Sequence, residues 1–162
     1  MSRKFTLPFE RGQFILNPDV LSHFYKYSQN NSKKLEAGGQ LFSKNPNDSQ
    51  MVICLATGPH RSDERGRHRF NLDVNKANYD REKLFRKGFH AVGLWHTHPE
   101  KYPNPSNEDR NVTAEYLKAF EGSMKGFLNL IVGNQGAHSN IAAWAAWNDD
   151  SSKWFQLNEL HD

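Results

Sequence analysis

The segment FHAVGLWHTH, Phe89 to His98, constrains the fold most. It is nearly continuous apolar sequence until its end, which suits a strand buried on both faces. Pro99 follows at once, and proline cannot continue a central strand, so the segment ends at His98. A strand of this kind needs a sheet around it and helices on that sheet.

The rest of the chain supplies both. GQFIL (Gly12 to Leu16) reads as a strand, and Asn17-Pro18 then opens a helix with an N-cap and a proline at its first position. Val20, Leu21, Phe24 and Tyr25 form that helix's apolar stripe. Glu36 to Ser43 and Met51 to Gly58 read as paired strands across the turn-rich KNPNDSQ, with His68 to Leu72 as a third strand of the series. A short helix from Asn75 to Lys87 ends at Gly88, the usual place for a left-handed cap. A further helix runs from Ser106 to about Glu121, followed by strands in FLNLIVG and NIAAWAAW. The fold class is therefore α/β or α+β, one domain over residues 1–162.

Composition excludes several classes. Net charge is +3, with Lys and Arg interleaved with Asp and Glu, so a nucleic-acid partner is not expected. No apolar run approaches membrane-spanning length, and MSRKFTLPFERG has no signal-peptide core. The single cysteine, Cys54, lies in the apolar run MVICLA and reads as a small buried hydrophobe. A lone thiol excludes an intramolecular disulfide and suits a reducing cytoplasm. Oligomeric state is not legible.

The chemistry is concentrated in GLWHTHPEKYPNPSNEDR, Gly93 to Arg110. Side chains alternate along a strand, so His96 and His98 share a face, with Cβ atoms roughly 6.5 to 7 Å apart. Two imidazoles at that spacing can lean toward one metal ion at about 2.1 Å each. Ser106 and Asp109 carry two readings. Ser-x-x-Asp before a helical pattern is a capping box. Yet Asp109 shares its face with Val112, Thr113, Tyr116, Leu117 and Phe120, so its carboxylate turns inward, which is costly without a cation or several donors. Two histidines and one carboxylate would leave a fourth tetrahedral position for water, the pattern of a catalytic zinc site. Cobalt or manganese would also suit such donors. Ser106 is one turn from Asp109 and could hydrogen-bond a tetrahedral intermediate. Hydrolysis further needs a base. Glu36, followed by two glycines that permit close backbone approach, ranks slightly above Glu100 and Glu108.

Together these residues resemble the JAMM, or MPN+, metalloprotease family, also called JAB-domain proteins. The family pattern of an upstream Glu, His-x-His, a spacer and Ser-x-x-Asp is matched by Glu36, His96-Thr97-His98, seven intervening residues and Ser106-Asn107-Glu108-Asp109. EAGGQLF also resembles a strand of the bacterial members, so the match runs from Glu36 to Asp109. The resemblance implies a cytidine-deaminase-like fold with a curved mixed sheet packed by helices. It implies one Zn2+ on His96, His98 and Asp109, with water as fourth ligand. Glu36 would be the general acid/base and Ser106 would stabilise the intermediate. Family members with the full set cleave isopeptide or peptide bonds after the C-terminus of ubiquitin or a ubiquitin-like protein. ATGPHRSDERGRHRFNLD and VGLWHTHPE look like small bacterial members found in antiphage operons. There the substrate is either a ubiquitin-like protein or the C-terminal tail of a conjugated cyclic-nucleotide synthase (CD-NTase). The alternative is a catalytically silent MPN scaffold that only binds partners.

Four arginines, Arg61, Arg65, Arg67 and Arg69, cluster in one polar loop. They read either as a solvated loop or as the wall of a substrate groove. Trp95 lies on the strand face opposite the histidines and reads as core, as do Trp144, Trp147 and Trp154 as packing residues. His60, His68 and His90 lack partners at metal-ligand spacing.

Overall fold

The computed structural model describes residues 1–118, 126–147 and 153–161. In chain order these form β1 (Arg3–Thr6), β2 (Gln13–Leu16), α1 (Pro18–Tyr27), β3 (Gly38–Ser43), β4 (Gln50–Ala56), β5 (Glu64–Gly66), β6 (Arg69–Asn71) and α2 (Val74–Phe85). They continue with β7 (His90–Thr97), α3 (Asn107–Lys118), β8 (Gly126–Val132), β9 (Ile141–Trp147), β10 (Trp154–Leu157) and β11 (Glu159–Leu160). Nine strands make one mixed sheet in the order β10-β9-β8-β7-β3-β4-β2-β1-β11, and β5 and β6 make a separate hairpin. The pairs β2–β4 and β7–β8 are parallel, the others antiparallel.

The expected strand β7 lies near the middle of the sheet and is buried along almost its whole length. On one face, Trp95 is covered by α1, with its ring 4.9 Å from Phe24 and its indole N–H donated to the Thr57 carbonyl at 2.9 Å. On the other, Leu94 packs in a smaller cluster with Ala77 of α2 and Tyr116 of α3. Layers on both faces are what let an apolar run of this length stay a strand.

Helix α1 begins as its sequence dictates. The Asn17 side chain accepts from Val20 N at 3.0 Å, Pro18 takes the first position, and Val20, Leu21 and Phe24 are buried. Helix α2 begins one residue earlier than the pattern suggests, because Asp73 caps it by accepting from Lys76 N at 3.1 Å. Gly88 has the expected left-handed φ, 86°, just past the helix.

Several expectations need correction. Strand β3 starts at Gly38, not Glu36, because both backbone polar groups of Glu36 bond to the β5 hairpin instead of to the sheet. The predicted third strand is the three-residue β6, which pairs with β5 and not with the sheet. Strands β1, β10 and β11 were not expected; each is short and lacks a strong alternating pattern. Cys54 is half-buried, with Sγ 3.7 Å from the Phe42 carbonyl. Phe120, Glu121 and the side chains of Leu117 and Trp147 lie outside the described residues. Trp144 and Trp154 pack against each other with ring centroids 6.4 Å apart. No described helix is long and apolar enough to cross a membrane.

Trp95 is 1% exposed, so its truncation removes both packing and a buried hydrogen bond. Trp95→Ala is expected to cost about 3–5 kcal/mol in denaturant unfolding. A loss of under about 1 kcal/mol would contradict its place in the core.

Candidate metal centre

Four side chains converge where β7 ends. Nε2 of His96 and Nε2 of His98 are 3.0 Å apart. Oδ2 of Asp109 lies 3.2 Å from the first and 3.1 Å from the second. The Glu36 carboxylate follows, with Oε1 3.5 Å from His98 Nε2. Glu36 is 3% exposed and His98 5% exposed, so this chemistry is set in a buried pocket.

The placement of each group follows from its element. His96 and His98 share a strand face, as alternation requires. Gly38 pairs with His96 in the β3–β7 ladder, and Thr97 N donates to the Ala37 carbonyl at 2.8 Å. Glu36 therefore stands across from His98. This pairing depends on the two glycines after it. A Cβ at Gly38 would lie 2.5 Å from the Trp95 carbonyl oxygen, and one at Gly39 would lie 1.8 Å from that of Thr57. Asp109 arrives on the first turn of α3. Ser106 N donates to its Oδ2 at 2.8 Å, and Asp109 N donates to Ser106 Oγ at 3.0 Å. The two readings of Ser-x-x-Asp thus hold together: the same carboxylate closes the capping box and faces the histidines.

Three residues that sequence reasoning missed hold the frame. Buried Thr97 accepts from Ala37 N at 3.0 Å and donates to Gln29 Oε1 at 2.9 Å. The Gln29 amide in turn donates to the Arg67 carbonyl at 2.8 Å. Arg65 Nε donates to the Glu36 carbonyl at 2.7 Å. Thr97 had a legible signal, a polar residue pointing away from the histidines into the core. Gln29 and Arg65 had none, because they act across long stretches of chain. Of the loop arginines, Arg65 and Arg67 are structural ties, and Arg69 pairs with Glu64 and Glu108 at 3.1 and 3.4 Å. His60 lies 2.6 Å from Asp80, and His90 packs against Phe85, so neither reaches the centre. A cleft beside the cluster is walled by Phe70, Leu72, Val112 and Thr113.

The three donor atoms suit a metal. A tetrahedron with bonds of about 2.1 Å has edges of about 3.4 Å, close to the triangle they form. Without a cation, two imidazole nitrogens face each other and a carboxylate, an arrangement that needs shared protons to persist. Among the described residues, buried Nδ1 of His98 has no aligned hydrogen-bond partner, though Glu100 Oε1 is 3.2 Å away. The set His96, His98 and Asp109 can therefore hold a metal ion, and Glu36 stands beside it as a fourth polar group.

Electrostatics separate the two carboxyl groups. Burial works to raise Asp109, but His96's charge and the hydrogen bonds from both histidines and Ser106 N hold it far below the usual range. Burial pushes Glu36 up to about 8, against the opposing charge of His98. Burial also opposes charge on His98, yet Asp109, Glu36 and Glu100 raise its pKa. In the metal-free protein, folded Glu36 keeps its proton between its ordinary 4.5 and about 8, while the unfolded chain gives it up. Glu36 thus costs folding stability progressively as pH rises through that window. Glu36→Gln removes this loss, so the stability advantage of the variant over wild type should grow by on the order of 1–4 kcal/mol from pH 4.5 to 8. A difference that stays flat with pH would contradict the burial of an ionisable Glu36.

Comparison with known proteins places the chain in a family. The family model described as prokaryotic homologs of the JAB domain matches residues 18–150. A Pseudomonas aeruginosa protein named CD-NTase/cGAS isopeptidase is 33% identical over 99 residues, 57% of this chain. That match spans 60% of the relative's own length. The solution structure of a Desulfitobacterium hafniense protein superposes with a TM-score of 0.62 at 14% identity, over 90% of this chain and 88% of that one, and so shares the fold. The α+β sheet and the family match agree, and the chain belongs to the prokaryotic JAB-domain family.

Proposed function

We propose that this chain is a metal-dependent isopeptidase acting on conjugates made through the C-terminus of a CD-NTase. The observation that carries the reading is the convergence of His96 Nε2, His98 Nε2 and Asp109 Oδ2 within 3.2 Å, with the protonatable Glu36 carboxyl 3.5 Å from His98. The substrate class rests on the relative's name and on its 33% identity. A ubiquitin-like conjugate is the other substrate considered, and bacterial antiphage defence is the setting. Residues 1–162 would act as one JAB/MPN+ domain. A silent scaffold would have no use for an intact set of three ligand atoms and a buried acid.

His96, His98 and Asp109 would hold the ion, for which zinc is the best match to the donor set. When bound, the metal supplies Lewis-acid chemistry: it polarises the scissile carbonyl and makes water a better nucleophile. The remaining work belongs to the chain. Glu36 Oε accepts a proton from the attacking water and returns it to the leaving amine, so the C–N bond breaks without releasing an amide anion. Its buried setting, which raises its pKa, suits a group that must take and give the same proton near neutral pH. Ser106 remains able to donate its hydroxyl hydrogen, because its oxygen is the acceptor in the cap. That hydrogen would go to the oxyanion. The small cleft between Phe70 and Val112, which opens beside His96 and Asp109, would seat the part of the substrate next to the scissile bond.

The test is a cleavage assay on a CD-NTase C-terminal amide conjugate and on ubiquitin-like conjugates. Wild type should cut the first, lose activity to a chelator and regain it with zinc. Glu36→Gln should retain the metal and lose about 100-fold or more in kcat, whereas His98→Ala should lose metal and activity together. Cutting of ubiquitin-like conjugates alone would overturn the substrate assignment. A wild-type protein that binds no metal and cuts nothing would leave the scaffold reading standing.

A further inference from the structure

Glu36 lies outside the sheet ladder, two residues before β3, and is 3% exposed. A buried backbone group without a partner is costly, so what satisfies this residue also holds it. Both partners come from one short strand. Glu36 N donates to the Gly66 carbonyl at 2.8 Å, and the Glu36 carbonyl accepts from Arg65 Nε at 2.7 Å. Strand β5 is not in the main sheet; it pairs with β6 alone. The hairpin is itself tied down by Arg67, which donates to the Asn31 and Lys34 carbonyls at 3.0 and 3.3 Å.

We propose that Arg65 is a positioning residue, whose Nε fixes the Glu36 carbonyl and thereby aims the Glu36 carboxyl at the metal centre. The role rests on Glu36 being the base proposed above. Arg65 touches no ligand atom, and among the described residues its Nη atoms make no bond. It acts through the backbone two bonds from the Glu36 side chain. The hairpin is thus a second frame for the site beside the sheet that carries His96 and His98, and Gln29 links the two by bonding the Arg67 carbonyl and Thr97 Oγ1. A shift of Glu36 relative to His98 Nε2, now 3.5 Å from its Oε1, is the consequence of losing the bond. A displacement near 1 Å at a reacting group can cost about 100-fold in rate.

The side-chain chemistry allows a clean test. Gln carries an N–H donor at the same number of bonds from the backbone as Arg Nε, without the charge or the Nη edge. Met has the same reach and no donor. Arg65→Met is expected to lower kcat by about tenfold or more, with KM within about threefold and metal content as in wild type. Arg65→Gln should recover kcat to within about threefold of wild type. Hydrogen exchange in the metal-free protein gives a readout that does not need catalysis. The Glu36 amide should exchange about tenfold or more faster in Arg65→Met than in wild type, and Arg65→Gln should restore its protection.

Equal damage in the Gln and Met variants, seen mainly in KM, would assign the guanidinium to substrate binding and overturn the proposal. Loss of metal in Arg65→Met, or unchanged kcat and exchange, would overturn it as well. Glu36→Gln is assayed alongside. If that variant is fully active, the base reading fails and the effect of Arg65 on kcat through Glu36 fails with it. In that event the exchange rates still decide whether Arg65 clamps the Glu36 backbone.

Discussion

The antiparallel register of β3 against β7 is the constraint on which the site depends. Gly38 stands opposite His96, so counting back two residues on one strand and forward two on the other sets Glu36 against His98. The Ala37–Thr97 pair locks that extension with a bond in each direction, Thr97 N to the Ala37 carbonyl and Ala37 N to Thr97 Oγ1. A slip of one residue would turn Glu36 to the other face and bring Ala37 to the histidines. The glycines at 38 and 39 prevent such a slip from being harmless. Backbone atoms of Trp95 and Thr57 occupy the space that side chains there would need.

Buried charge is the second constraint. Asp109 is ionised in a pocket where burial disfavours ionisation, and it persists because several donors point at it. One of those donors is the amide of Ser106, so the carboxylate that faces the histidines also starts α3. Helix position and site geometry are thereby coupled. The apolar face of α3, with Tyr116 against Phe127 at 5.1 Å, holds the helix on the sheet and keeps Asp109 in reach. Glu36 is treated in the opposite way. In the metal-free protein its burial, helped by the charge of Asp109 and opposed by that of His98, raises its pKa to about 8, which suits the proposed split of the two carboxyl groups into a ligand and a proton carrier.

Much of this was legible in the sequence, for identifiable reasons. An apolar run ending in His-x-His-Pro marks a central strand and its end. Asn17-Pro18 marks the start of α1, and the spacing of Asp109 with Val112, Thr113 and Tyr116 marks an inward-facing acid. These signals are local or periodic. The hairpin was not legible in the same way. Arg65 reaches Glu36 across 29 residues of chain, and no periodicity relates them. The same holds for Gln29, which meets Thr97 68 positions later. A loop rich in arginine reads as solvated unless its partners are known, and the partners of Arg65 and Arg67 are backbone carbonyls that every residue carries. Strands β1, β10 and β11 were lost for a different reason: strands of two to four residues at or next to a sheet edge carry little pattern.

His96, His98 and Asp109 are proposed to bind one metal together. X-ray absorption spectroscopy on the zinc-loaded protein tests it most directly. About one zinc per chain is expected, in a shell of nitrogen and oxygen donors at about 2.0–2.2 Å that includes two imidazoles. Asp109→Ala should weaken zinc binding and change that shell. A shell without imidazole scattering, or an unchanged spectrum and affinity in Asp109→Ala, would contradict it.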